Sequence, residues 1–464
     1  MQSNTARCLV TITCGAMMIA GGCASPSQGV GAPATGHDGA VPLVSGPAPV
    51  AEARIAALRA MGPAGLRELL TEHDEAQARG ADEAALAPLR RAIDRVAAQH
   101  DAWASRLYWY TDLEQAKLAA RLTGRPILSL HLLGALDEEL SCANSRLFRL
   151  ALYPNRALAR VLEERFVLHW VSERPVPKIT VDFSDGRSIV RTITGNSIHY
   201  VLDARGRPID GIPGLYGPGA FAAALERSLP FARRAGAMDD DEYGKALVAY
   251  HAGELTRLTR EFREELEATG VAHDVAASSS LPTAPSAGAA AARVGGPAAI
   301  WAEELTVGKS QIERPLVRAL QPTLYVAAVP FDVAPMLALS KRHAGESALD
   351  DASKALIASQ HPRAWGLPGA PTLTAEALAA REQELERSLA LDGARNEYGL
   401  HGQIHAWLGR AEGPHDLAAL DAYVYTALFA TPPRDEWLGL ASVDVLTGLA
   451  DDGLVTTRPR PAGE

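Results

Sequence analysis

Three features of the 464-residue chain predict a mixed α/β unit flanked in sequence by helices. Residues 126–132 and 166–171 are short apolar runs, bounded by turn residues and joined through segments of helical pattern. Strand, helix and strand in that order imply a parallel pair with a right-handed crossover. Residues 51–104 and 300–450 instead repeat their apolar positions at helical spacing. The predicted class is an α/β domain, with a mixed sheet and flanking helices, plus an all-α N-terminal segment and an all-α C-terminal domain.

Composition supports a globular protein able to bury a sizeable core in two or three domains, with 47% hydrophobic and 22% charged residues. The formal net charge of −10 comes from interspersed acids and bases without a long basic run, which argues against a nucleic-acid surface.

Residues 1–23 hold one basic residue, Arg7, an uncharged apolar run over 8–20, and Gly21-Gly22-Cys23. This predicts an export signal, too short for a membrane-spanning helix. Ala20-Gly21-Gly22-Cys23 resembles the lipobox of bacterial lipoproteins. That resemblance implies cleavage before Cys23 and its lipidation, so that the membrane is one partner. Ala24, in place of an aspartate, implies transfer to the outer membrane, facing the periplasm. The residues also allow an ordinary secretory signal with Cys23 left free. Under the lipoprotein reading Cys8 and Cys14 leave with the signal, and Cys142 remains as a free thiol with no intramolecular partner. An exported protein would ordinarily use its cysteines as disulfide staples.

Residues 24–50 are rich in Pro, Gly, Ala and Ser and read as a flexible tether, reaching roughly 30 Å as a random coil. Residues 51–104 predict two or three amphipathic helices, broken at Gly62-Pro63 and Gly80. Thr111-Asp112-Leu113-Glu114 has capping-box spacing for the next helix, which Gly124-Arg125-Pro126 ends. A strand over 126–132, a helix over 144–152 stopped by Tyr153-Pro154-Asn155, a further helix and a strand over 166–171 follow. Residues 179–183 and 188–193, separated by Asp185-Gly186, predict a hairpin. Residues 198–209 read as strand, turn and strand, before a closing helix near 219–228. The α/β domain is thus placed at 105–235. Residues 236–270 predict a long helix with acids at its start and Gly270 past its end. A low-complexity linker follows over 271–299. The all-α domain over 300–450 has breaks at Gly366-Leu367-Pro368-Gly369 and Thr431-Pro432-Pro433, and 451–464 is a tail.

Ser141-Cys142-Ala143-Asn144-Ser145-Arg146 places a cysteine at a predicted helix start, between two strands. With the order of elements around it, this resembles the thioredoxin-like superfamily, as a Cys-x-x-Ser variant. A thiolate at a helix N-terminus is stabilised by unpaired N–H groups, which raises its reactive fraction. The resemblance implies that Cys142 is the nucleophile and that Ser145 stands where the resolving cysteine would be. A serine hydroxyl can bond a thiolate but cannot displace a disulfide sulfur, so turnover would need an external thiol. Ser197, in Gly195-Asn196-Ser197-Ile198, stands where the family places a cis-proline. The hairpin occupies the place of a family helix. The residues alone also suit Cys142 as a small buried hydrophobe. His131 and His169, in predicted strands, are placed to lower the thiol's pKa or to serve as ordinary strand residues.

Glu397, His401 and His405 recur every four residues in a helical stretch and would present a carboxylate and two imidazoles along one side to a metal. The same helix carries Leu400, Ile404, Trp407 and Leu408, which suits ordinary packing. No His-Glu-x-x-His, Cys-x-x-Cys-His or Gly-x-Ser-x-Gly motif is present, and the Lys309-Ser310 that follows Gly308 lacks the preceding glycine of a phosphate loop. No organic cofactor is implied. The segment 431–440, Thr-Pro-Pro-Arg-Asp-Glu-Trp-Leu-Gly-Leu, suggests a loop with an aromatic anchor. The expected function is a cell-envelope thioredoxin-like lipoprotein. It would perform monothiol exchange or mixed-disulfide capture of an envelope protein. The alternatives are a non-catalytic scaffold on the same fold and a metal-binding protein using the histidine helix.

Overall fold

The computed structural model describes residues 48–193, 195–270, 307–309, 312–313, 333–360, 374–410, 415–429, 431 and 449. The expectations for the signal, Cys23 and the tether up to residue 47 lie outside these, as do those for the 271–299 linker, the 366–369 break, residues 432–440 and the tail.

The first helices are α1 (Ala48–Ala60), α2 (Pro63–Ala78) and α3 (Glu83–Ala97). Gly62 takes a φ of +68° between the first two, and Pro63 opens α2 where a missing N–H costs nothing. The Asp82 carboxylate starts α3 by accepting from the Ala85 N–H at 2.8 Å. Arg59 ties α1 to the rest by donating to the carbonyls of Val96 and Trp109. A single turn, α4 (Ala102–Ser105), leads to α5 (Leu113–Thr123). The cap of α5 is Asp112, accepting from the Gln115 N–H at 3.0 Å, one residue beyond the Thr111 of the expected capping box. Gly124 closes α5 in the left-handed region, as its sequence implied.

Four strands form a mixed sheet in the order β2-β1-β5-β6: β1 (Ile127–Leu133), β2 (Val167–Arg174), β5 (Ile198–Leu202) and β6 (Pro208–Pro213). β1 runs parallel to β2 and antiparallel to β5, which in turn is antiparallel to β6. All seven residues of β1 are buried, as a central strand covered on both faces requires. The crossover from β1 to β2 consists of α6 (Ala143–Leu147), a π-type turn over Phe148–Leu152, and α7 (Arg156–Arg165). The single helix expected over 144–152 therefore changes its winding at Phe148. The wider turn leaves Phe148, Ala151, Leu152 and Tyr153 all buried. β3 (Lys178–Asp182) and β4 (Ser188–Thr192) form the expected hairpin as a separate two-stranded sheet.

α8 (Pro218–Ala235) continues past the expected end near 228 and through Pro230. Burial of Phe231, Ala232 and Ala235 beyond the proline outweighs the hydrogen bond that Pro230 cannot donate. α9 (Asp240–Thr269) matches its prediction closely: Asp239 caps it and Gly270 ends it at a φ of +67°.

After residue 332 come α10 (Val333–Arg342), a 3₁₀ turn (Ala344–Ser347), α11 (Asp351–Gln360) and α12 (Ala375–Arg395). A π-type turn (Asn396–His401), α13 (Gly402–Leu408) and α14 (Leu417–Tyr423) follow, the last running into a further π-type turn. These helices share one hydrophobic cluster with the sheet, to which Ile127, Tyr200, Leu247, Leu389, Ile404 and Val424 all belong. Polar ties reinforce it. Asn396 Nδ2 donates to the Leu215 carbonyl at 2.7 Å, the Tyr200 hydroxyl donates to Asp421 at 3.0 Å, and the Arg156 N–H donates to Asp350 at 2.8 Å.

Asn396→Ala leaves the buried Leu215 carbonyl without this donor and is expected to cost about 1–3 kcal/mol. In urea unfolding the loss should appear in one transition shared by sheet and helices. Two transitions, with only the later helices affected, would contradict the common core.

Candidate functional site

Cys142 is the N-cap of α6 and is wholly buried. Its own N–H donates to the Leu133 carbonyl at 3.1 Å, which fixes the cysteine at the end of β1. The sulfur accepts from the Ser145 N–H at 3.4 Å and lies 2.9 Å from Ser197 Oγ. Three of the residues singled out in the sequence are therefore adjacent, but their hydroxyls have separate roles. Ser145 Oγ turns away from the sulfur, donating towards Ser141 Oγ at 2.6 Å and the Cys142 carbonyl at 2.9 Å. Of the two hydroxyls, that of Ser197 is the one bonded to the thiol. Gly195 makes this approach close: a Cβ there would fall 2.3 Å from Cys142 Cβ. The Tyr425 hydroxyl donates to the Asn196 carbonyl at 3.4 Å, so the turn after α14 lies against the same loop.

The two strand histidines have other partners. His131 Nδ1 faces Glu173 at 2.7 Å and Asp421 at 3.0 Å, and these carboxylates outweigh burial to raise its pKa. His169 shares a hydrogen bond of 2.7 Å with Ser129 Oγ, and burial followed by the charge of His131 pushes its pKa down to about 4. The structure thus does not bring either ring to the thiol.

A second polar cluster lies where β6, α9 and the 396–408 helical run meet. Asp210 in β6, His251 in α9, and His401 and His405 are all buried. His401 is held from both sides, its Nε2 2.9 Å from Asp210 Oδ1 and its Nδ1 3.0 Å from Glu397. His405 Nδ1 lies 3.8 Å from Asp210 Oδ1 and 2.8 Å from His251 Nδ1. His251 Nε2 points to the Ile209 carbonyl at 3.0 Å. Donor atoms of Asp210, His401 and His405 all lie within 4.8 Å of one another. The sequence had grouped Glu397 with the two histidines. In the structure Glu397 stands behind His401, and Asp210 takes the facing position.

Burial works to lower the pKa of His401, but Asp210 and Glu397 outweigh it and lift the imidazole to about 9. Burial likewise works to raise both carboxylates. His401 and His405 nevertheless hold Asp210 well below the usual carboxylate range, and Arg227 with His401 does the same for Glu397. His405 is pushed well down by burial and by the charge of His401, and burial lowers His251 to about 4. Asp210 and His251 were missed in the sequence. Each had a signal, a lone acid within an apolar strand and a histidine four residues beyond Leu247 on the buried side of α9.

Glu397 also forms ion pairs with Arg227 and Arg257 and borders a cavity of about 220 Å³, whose other polar walls include Tyr216, Glu265 and His343. His343 bridges Glu265 at 2.7 Å and Glu346 at 3.1 Å. Hydrogen bonds to these two carboxylates lift its pKa to about 10. Compared with known protein families, curated proteins and solved structures, the chain matches none.

Gly195→Ala is expected to cost about 1–3 kcal/mol, because the added Cβ must displace Cys142 or its loop. An unchanged urea midpoint would contradict the close approach. His343 gives a pH prediction with a definite sign. Its folded pKa is raised, so its contribution is fully present below the unfolded value of about 6.5 and fades as pH rises towards the folded value. The stability gap between the wild type and His343→Ala should therefore be widest near pH 6 and narrow through pH 10 in urea titrations at stepped pH. A gap that is flat or widens with pH would contradict the pairing.

Proposed function

We propose that the chain is a non-catalytic, thioredoxin-type scaffold of the bacterial cell envelope. It would be anchored by lipid at Cys23 and present its surface to an envelope protein. The thioredoxin-type reading is supported by the sheet order β2-β1-β5-β6, with one parallel pair made by a crossover and two antiparallel additions. The cysteine at the head of the crossover helix, with Ser197 against it, agrees with the same reading.

The observation that carries the non-catalytic conclusion is the 0% exposure of Cys142. Disulfide exchange needs the attacking sulfur to approach another sulfur directly, and a wholly buried thiol offers no such approach. With Ser145 Oγ turned to Ser141 and no second cysteine among the described residues, Cys142 packs as a small side chain whose sulfur meets the Ser145 N–H and Ser197 Oγ. For a partner protein, the surface on offer is the β3–β4 hairpin, where the paired Val181 and Ile189 and neighbouring Phe183 are exposed.

Monothiol exchange is the second reading, favoured by the N-cap position of the sulfur and its contact with the Ser145 N–H. Iodoacetamide labelling separates the two, with Cys142→Ser as the background for other cysteines. The scaffold reading predicts that Cys142 of the native chain reacts at least about 100-fold more slowly than in urea, because labelling must wait for opening. Native labelling as fast as unfolded labelling would sink the scaffold reading and restore exchange.

A further inference from the structure

We infer that Asp210, His401, His405 and His251 form a buried site for one divalent transition-metal ion, with Glu397 as the carboxylate that orients His401. This goes beyond the scaffold reading and does not depend on it.

The spacing of the donor atoms suits such an ion. Zinc–nitrogen and zinc–oxygen bonds of about 2.0–2.2 Å place neighbouring ligands of a four-coordinate site about 3.3 Å apart. The donor pairs here measure 2.9 Å for Asp210 and His401, 3.8 Å for Asp210 and His405, and 2.8 Å for His405 and His251. They bracket that value; Asp210, His401 and His405 have donor atoms within 4.8 Å of one another, and His251 adjoins them through His405.

The outward nitrogens supply an independent argument. A metal-binding histidine characteristically donates its other ring N–H to a carboxylate or a backbone carbonyl, which fixes the tautomer that leaves the ligating lone pair bare. His401 turns Nδ1 to Glu397 and so aims Nε2 at the site. His251 turns Nε2 to the Ile209 carbonyl and so aims Nδ1 at the site. His251 and His405 then face each other nitrogen to nitrogen at 2.8 Å, a separation that requires a proton or a cation between two lone pairs. A proton there serves only those two rings, whereas a cation also engages Asp210 and His401. Asp210 supplies a negative charge directly to a buried cation, while Glu397, paired with Arg227 and Arg257, serves to orient His401. A set of imidazole and carboxylate donors suits Zn²⁺ or Co²⁺ rather than Ca²⁺ or Mg²⁺.

The test uses the full chain, produced without an affinity tag and refolded with Zn²⁺ or Co²⁺, since a buried site loads poorly in the native state. The expected result is one equivalent of metal per chain after dialysis, with visible absorption from the Co²⁺ form reporting nitrogen ligands at low coordination number. His405→Gln should lose the metal. Glu397→Gln should weaken it about 10- to 100-fold, the usual effect of removing an orienting carboxylate. His131→Gln should bind as the wild type does, which excludes the separate His131, Glu173 and Asp421 cluster. If His405→Gln fails to fold, the comparison of Glu397→Gln with His131→Gln decides. Folded wild type that retains no metal would overturn the inference and leave a proton shared between the two imidazoles. Metal retained equally by every variant would overturn it as well.

Discussion

The buried chain Asp210, His401 and Glu397 is the constraint on which the rest depends. Each member comes from water at a cost of several kcal/mol, and only mutual pairing offsets it. Asp210 belongs to β6, while His401 and Glu397 belong to the run between α12 and α13, some 190 residues later. The sheet and the later helices must therefore be in place together, because either alone would leave a charge in an apolar interior. Arg227 from α8 and Arg257 from α9 complete the balance around Glu397, so four separate parts of the chain are joined at one point.

The thiol is sealed by the same architecture. Cys142 sits between β1 and α6, as the N-cap of α6. Here the loop at Gly195 lies close against it, Ser197 Oγ bonds the sulfur, and the Tyr425 hydroxyl donates to the Asn196 carbonyl of that loop. The sulfur has the geometry of a helix start and the surroundings of a packed side chain. The helix start favours a thiolate, while burial keeps the sulfur from solvent.

Much of this was legible in the sequence where the signal was local. The buried strand β1, the capped helix α9 and the Gly124 terminus follow from apolar pattern, capping chemistry and glycine's freedom at positive φ. The four-residue spacing of Glu397, His401 and His405 also placed them side by side. What faced them was not legible, since Asp210 and His251 are brought there by tertiary packing alone. The π-type turns at Phe148–Leu152 and Asn396–His401 were likewise unreadable, because both stretches have an ordinary helical pattern and widen only through their packing. The burial of Cys142 depended on segments far along the chain, which its own motif could not report.

Native-state hydrogen exchange tests most directly whether sheet and later helices form one body. The account predicts that amides of β6, of α6 behind Cys142 and of α13 exchange through a single opening, with equal free energies that fall together as urea is added. Exchange of α13 through a separate, lower-energy opening, with β6 still protected, would contradict it.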